Sequence, residues 1–363
     1  MAKRIFIAAT MQNDGKTTAC LGLIAALKKK FTRIGFIKPI GQRYLIEQGY
    51  KVDEDSVLIE EIFGIKCNIK DMSPIAIEKG FTERYIENED NEDYPKKIQE
   101  AFDRIAADND LVIIEGTGHA GVGSVCDLSN SRVAKLLGAR VVLISSGGIG
   151  KPIDEVMLNK ALFDKDGVEV AGVIVNKVLP EKYEKINRIV RMGLEKKGLN
   201  VLGVLPYQKI LGLPTIREIK EEIRLELLCG EDSLDVPGER ILVGAMTVRA
   251  ALQHFRHRTI LITPGDRGDI VRAFIRVHLD KKIPKRLSGV ILSGGIIPDM
   301  RTKKMLKGAG IATLISEDDT YAVASKVNSV VVKIKPQDKD KIRLIVDMIE
   351  KYVDIGKVIA SLL

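Results

Sequence analysis

The chain has 363 residues, with 57 Lys and Arg against 49 Asp and Glu (a formal net charge of +8), 45% hydrophobic residues, 5% aromatics and no Trp. At roughly 100–200 residues per domain this length asks for two domains, and the even apolar content excludes a largely disordered chain. No stretch approaches the ~18 apolar residues of a spanning helix, and the N-terminal apolar run is too short for a signal sequence. The cysteines Cys20, Cys67, Cys126 and Cys229 stand singly, without disulfide-framework or metal spacing. A reducing, cytoplasmic setting with no membrane partner is expected.

Residues 4–9 (RIFIAA) form a short apolar run, and residues 17–30 space their apolar side chains as a helix. Further β-rich runs at 33–39, 110–116, 139–146, 169–177 and 199–206 are separated by helical segments, among them 56–63 and 96–107. Fully apolar strands alternating with helices predict an α/β fold, a mostly parallel sheet with helices on both faces and its ligand at the strands' carboxyl ends. The acidic stretch 81–95 reads as a solvated surface excursion. Pro206, Gly212 and Pro214 break the pattern, so the first domain is read as 1–212 and the second as 213–363. In the second, 258–267, 286–295, 310–316 and 329–334 read as strands. Helices are expected at 268–279, 299–308, 318–327 and 338–352, giving a smaller α/β domain with C-terminal helices. Between Arg249 and Arg286 ten Lys and Arg meet three acids, with Phe255 and Phe274 as the interleaved aromatics. Solvated helix faces explain this, a small anionic ligand or acidic partner is the alternative, and so few aromatics speak against a nucleic-acid partner.

Residues 10–18 (TMQNDGKTT) lie between the first strand and the first helix. They fit a phosphate loop at Gly15, Lys16 and Thr17, with Thr10 where the first Gly is expected. The backbone of Gln12, Asn13, Asp14, Gly15, Lys16, Thr17 and Thr18 can cradle an anion at a helix N-terminus, Lys16 adds charge, and the Thr17 hydroxyl can ligate Mg²⁺. G-K-T alone is common, and an ordinary helix start is the alternative; its place between an apolar strand and an apolar-faced helix favours nucleotide phosphate. Glu115 ends a buried strand before a Gly-rich loop, where an acid is costly unless it serves something. Asp53, Glu54 and Asp55 open a helix, where acids also suit the dipole. Lys38 ends the second strand, either facing phosphate and substrate or as a solvated terminus. His119 lies in the Gly-rich loop, where a surface role is the plainer reading.

Together these residues resemble the dethiobiotin synthetase family, and more closely the dethiobiotin-synthetase-like N-terminal domain of long bacterial phosphotransacetylases, over residues 3–212. The motifs are GKTT, IKPIGQ with Lys38, DEDSVLI with Asp55, IIEGTGH with Glu115 and VNKVLP with Asn176. The resemblance implies that Gly15, Lys16 and Thr17 bind ATP phosphates and that Thr17, Asp55 and Glu115 hold Mg²⁺. It further implies that Asn176 reads the adenine with Pro206 near it, and that Lys38 lies by the γ-phosphate and the substrate carboxylate or carbamate. Gln12 and Asn13 replace the usual Thr-Glu pair of dethiobiotin synthetase, and Gln42 a small hydroxyl residue, both favouring the phosphotransacetylase type. Met11 takes the place of the early loop Lys of chromosome-partitioning ATPases, so a partitioning role is not expected.

Residues 213–329 resemble the DRTGG domain through LVGAMTVRAAL, ITPGDRGDIV, LSGG and SEDDTYAVA, although Gly268-Asp269-Ile270 follows Asp266-Arg267. Asp266, Arg267, Gly294 and Gly295 are its candidate ligand residues, Arg267 being able to grip a phosphate or carboxylate with two parallel bonds; plain turn chemistry is the alternative. Nothing after residue 352 resembles a phosphate acetyltransferase catalytic domain, so acetyl transfer to CoA is not expected. The expected function is ATP and Mg²⁺ binding, with ATPase activity or ATP-dependent activation of a carboxylate or carbamate through Lys16 and Lys38, and a regulatory or oligomerising second domain. A non-catalytic nucleotide sensor and an authentic dethiobiotin synthetase stay open as alternatives. A homodimer is expected by analogy.

Overall fold

The computed structural model describes residues 2–87, 92–330 and 332–362. They form two compact units, Met1–Gln208 with Ile334–Leu363, and Lys209–Lys333.

The first unit is built on six parallel strands in the order Val201–Pro206, Val170–Val178, Arg140–Ser145, Lys3–Ala9, Leu111–Glu115, Ile34–Ile37. Ile5 to Ala9 and Leu111 to Ile114 are wholly buried because helices cover both faces, which is why these strands read as continuous apolar runs. The N-terminal strand lies mid-sheet, so the loop at its carboxyl end opens between its neighbours Leu111–Glu115 and Arg140–Ser145. Strand order reverses there, and open α/β sheets place their ligands at such a point.

The first helix, Lys16–Leu27, is apolar all round, with Ala19 to Ile24, Ala26 and Leu27 buried. A helix of that kind needs cover on both sides. The outer cover is the helix Lys339–Tyr352, whose stripe Ile345, Met348 and Ile349 is buried. This corrects the assignment of the C-terminal helices to the second domain, since Lys339–Tyr352 and Ile355–Ala360 both belong to the first unit. Gly22 makes the approach possible. A Cβ there would meet Ile349 Cγ1 at 2.1 Å and Ile349 Cβ at 2.7 Å.

Two further differences lie near the site. An antiparallel hairpin, Tyr44–Glu47 with Tyr50–Asp53, follows the second strand. Its turn residues Gln48 and Gly49 both have positive φ, 51° and 83°, as a two-residue hairpin turn requires. The stretch 81–95 is not wholly a solvated loop: it contains the helix Phe81–Ile86, and the next helix starts at Tyr94. Phe81 and Tyr94 are buried, with ring centroids 5.5 Å apart, so the two helix starts pack on one another. Residues 88–91 of the stretch lie outside the described residues.

The second unit has five strands in the order Glu226–Cys229, Thr313–Ile315, Leu287–Ser293, Thr259–Pro264, Arg240–Val243, the first antiparallel and the rest parallel. Ile260 and Ile262 pack on one face with Ile216 and Val323, while Leu261 packs on the other with Phe255 and Phe274. Glu226–Cys229 and Arg240–Val243 are four residues each and too short to show a period in sequence. The expected strand at 329–334 includes residue 331, which lies outside the described residues; its described neighbours carry no strand.

Gly22→Ala is expected to destabilise the protein by about 1–3 kcal/mol through overpacking, despite Ala's better helix propensity. Ile349→Ala should cost about 2–5 kcal/mol. In the double variant the two penalties should fall well short of additive, because the removed side chain is the one the new methyl strikes; urea denaturation of all four proteins measures this.

Candidate functional site

The loop between the first strand and first helix is held by its own polar groups. Asp14 is buried, and its Oδ2 accepts from Thr10 Oγ1 and from the Met11 N–H, both at 2.9 Å. Burial pushes the Asp14 carboxyl up, against those two hydrogen bonds that favour its charged form. Asn176, at the end of its strand, donates from Nδ2 to the Asp14 carbonyl at 2.8 Å, and the Lys177 ammonium donates to the Asn13 carbonyl. Gly15 lies directly under Asn176: its φ is +96°, and a Cβ there would come within 2.4 Å of Asn176 Nδ2. Asn159, on the helix Gly150–Lys165, accepts from the Ala120 N–H at 2.8 Å and donates to the Thr10 carbonyl at 3.2 Å. It ties the phosphate loop to the Gly-rich loop after Glu115. Sequence reasoning missed it because a single Asn in an amphipathic helix carries no motif.

Three strand ends converge beside this loop. Lys38, 8% exposed, sends its ammonium to Asp55 Oδ2, to Asp53 Oδ1 at 2.9 Å and to Glu115 Oε1 at 3.8 Å. Burial alone would lower the Lys38 pKa, but the charges of Asp55, Glu115 and Asp53 overcome it and raise the ammonium well above its ordinary range. Glu115, 1% exposed, accepts from Thr17 Oγ1 at 2.9 Å, and burial together with the nearby Asp55 charge lifts its carboxyl to about 7. Lys16 is pulled down by burial, opposed by the charge of Glu115.

The structure thus brings Lys16, Thr17, Lys38, Asp55 and Glu115 into one cluster, and adds Asp53, whose side chain also caps the helix Glu54–Phe63. Gln12 and Asn13 are exposed and Thr18 is half-buried, while Pro206 closes its strand beside Val178. Asn176 holds the loop, and its Oδ1 accepts from the Lys177 N–H at 2.8 Å. His119 is exposed, its Nδ1 accepting from the Gly121 N–H.

Among the described residues no group of three or more His, Cys, Asp and Glu is placed to hold a metal on its own. The phosphate-loop scheme asks for less, a hydroxyl and one or two carboxylates, with phosphates and water completing the shell. Glu115 fits it: its buried Oε2 has no hydrogen-bond partner, while Oε1 touches the Thr17 hydroxyl. Hard oxygen donors of this kind suit Mg²⁺.

In the second unit Arg267 makes its two parallel bonds to Asp269, at 3.0 and 3.1 Å, and reaches the Met246 carbonyl at 3.1 Å. The Gly294 and Gly295 amides donate to the carbonyls of Asp318 and Ser316, both at 2.8 Å. Asp266 is exposed. These residues tie strand-end loops to one another. The basic excess at 249–286 is spread over capping bonds and ion pairs, such as Arg258 with Glu239 and Arg272 with Asp299.

The AAA domain family matches residues 3–215, and the DRTGG domain family matches residues 218–330. Phosphate acetyltransferase of Nitratidesulfovibrio vulgaris is 25% identical over 98% of this chain and 51% of its own length. That of Synechocystis sp. is 26% identical over 99% of this chain and 52% of its own length. The chain spans about half the length of the curated relatives it matches. The MinC:MinD cell division protein complex of Aquifex aeolicus is similar over 58% of this chain and 84% of the matched one, at 14% identity and a TM-score of 0.38. Among the described residues no helix is long and apolar enough to cross a membrane.

A carboxyl raised by folding keeps its proton more tightly in the folded state than in the unfolded chain. The resulting penalty is absent below the ordinary carboxylate range, grows as pH rises through it and is complete above about 7 for Glu115. Glu115→Gln should therefore flatten the loss of stability between about pH 4 and pH 8. Denaturant unfolding across that range reads the difference, and parallel pH profiles for the two proteins would contradict it.

Proposed function

The chain belongs to the AAA domain family, with a DRTGG domain behind it, and from that premise we propose that its first unit binds ATP with Mg²⁺ and transfers the terminal phosphoryl group to water or to a small carboxylate or carbamate. The observation that carries this reading is the convergence of Lys16, Thr17, Lys38, Asp55 and Glu115 beside the loop at Gly15. In this reading the amides of residues 12–18 and the Lys16 ammonium bind the phosphates. Thr17, Asp55 and Glu115 hold Mg²⁺, which neutralises charge on the transferring group. Lys38 offers the acceptor carboxylate a fixed positive charge, kept protonated by the acids around it. In this reading Asn176 and Pro206 face the adenine. Little covalent work falls to the protein, so positioning and charge carry the rate.

A second reading is favoured by a different observation. Asp14 already occupies the Met11 amide, and Asp53, Asp55 and Glu115 already enclose Lys38, so that cation has its countercharges without a substrate. A non-catalytic sensor would use such a site to couple nucleotide occupancy to self-association through the second unit as a homodimer. It also suits relatives named for acetyl transfer, a chemistry that consumes no ATP.

Lys16→Ala is expected to weaken ATP binding by roughly 100-fold, the loss of one charge-assisted phosphate contact. Calorimetric titration of the full chain with ATP and Mg²⁺ measures it, and unchanged affinity would remove both readings. Phosphate release with and without candidate acids separates them. Turnover stimulated by one acid supports transfer; tight binding with negligible turnover supports the sensor.

A further inference from the structure

The sheet of the second unit ends in an exposed apolar edge. The strands Arg240–Val243, Thr259–Pro264, Leu287–Ser293 and Thr313–Ile315 run parallel, so the loops that leave them lie side by side. Among the described residues seven large apolar side chains of this unit are exposed. Five of them, Met246, Ile296, Ile297, Met300 and Tyr321, stand in those loops or in the first turn of the helix beyond. Ile297, Met300 and Tyr321 are 65%, 81% and 82% exposed. One such side chain means little, but a cluster along one edge marks a surface that meets another.

The same loops spend their polar groups on one another. Arg267 donates to the Met246 carbonyl at 3.1 Å, the Gly294 and Gly295 amides donate to the carbonyls of Asp318 and Ser316, and Ser293 Oγ lies 2.7 Å from Thr320 Oγ1. Ile296 lies over Gly265, where a Cβ would strike the Ile296 carbonyl. An edge whose donors are engaged within the fold offers little to a small anion, and covering it strands few polar groups.

Charge divides between the two faces of the sheet at this edge. On the face where Leu306 packs with Leu261, the helix Met300–Gly308 exposes Arg301, Lys303, Lys304 and Lys307 and contains no acid. None of the four has an ion pair among the described residues. On the face where Val323 packs with Ile262, Glu317 and Asp319 are exposed at the start of the helix Thr320–Asn328. Asp318 between them pairs with Lys326 at 2.6 Å, whereas Glu317 has no ion pair among the described residues.

We propose that this edge is an interface with a second copy of the chain, the two sheets meeting end to end about a two-fold axis that runs along the edge in the plane of the sheets. Such an axis exchanges the faces, so the cations of one copy lie opposite Glu317 and Asp319 of the other while the five apolar side chains meet between them. An axis normal to the sheet would set like charges against each other, which is costly. An anionic membrane would attract the helix Met300–Gly308 but meet two acids on the other flank, so a second copy answers both signs where a lipid surface answers one.

Sedimentation velocity of the full chain, free of nucleotide and over a range of concentrations, tests this. A monomer–dimer equilibrium is expected, and Lys16→Ala should leave it unchanged because the contact does not depend on nucleotide in the first unit. Ile297→Asp should weaken dimerisation by about thirtyfold or more at an unchanged melting temperature. Arg301→Glu and Glu317→Arg should each weaken it by about tenfold, and the two together should return it close to the parent value, since the exchanged charges again face their opposites. A chain that stays monomeric throughout, Ile297→Asp that dimerises as the parent does, or a combined variant weaker than either single one would each overturn the proposal. The first leaves the edge without this partner, the second puts the contact elsewhere, and the third denies that the two faces meet. Monomers that instead sediment with phosphatidylserine vesicles would make the edge a lipid-facing surface and overturn it as well.

Discussion

Asp53 and Asp55 open one helix and Glu115 ends a strand, and all three are withdrawn from water beside one ammonium. Burying isolated carboxylates is costly, and Lys38 buried among them offsets that cost, helped at Glu115 by the Lys16 charge and the Thr17 hydroxyl. This one cation therefore fixes how the second strand end, the start of the helix Glu54–Phe63 and the end of the strand Leu111–Glu115 stand to one another. The hairpin that delivers Asp53, and the segment around Ser73 that holds the hairpin's backbone, follow from the same requirement.

Charge balance around Lys38 is uneven, and that unevenness has chemical content. Asp55 and Asp53 lie against the ammonium, whereas Glu115 is farther away and keeps one oxygen without a partner. Its raised pKa records the same imbalance in energetic form. Carboxyls perturbed in this way cluster where a ligand is met. Lys16, depressed by burial next to Glu115, shares the imbalance: the two groups sit in a place where an arriving anion and cation would relieve both.

The phosphate loop illustrates how a departure from a motif is absorbed. Thr10 stands in place of the first Gly, and its hydroxyl becomes part of a polar network in which Asp14, Asn159 and Asn176 hold the loop's backbone. Side-chain hydrogen bonds replace some of the freedom that glycine gives elsewhere, and Gly15 remains where the Asn176 contact leaves no room for a side chain. The second unit shows the same economy at Arg267, whose donors are spent on Asp269 and backbone carbonyls.

The sequence by itself determined the parallel α/β architecture, the loop at Gly15 to Thr18, and the placing of Lys38, Asp55 and Glu115 at strand or helix ends, because apolar period and helix-start chemistry are local properties written within a few residues. Tertiary structure decided what those local signals cannot carry. Lys339–Tyr352 joins the first unit because Gly22, more than 300 residues earlier, leaves a notch for Ile349. Asp53 pairs with Lys38 while it caps its helix, and Asn159 braces the loop through a contact with Thr10, far from it in the chain. Phe81 packs on Tyr94 in a stretch whose composition reads as solvated. Each of these depends on which side chains meet across the fold, and pairing between distant segments leaves no period in a single sequence.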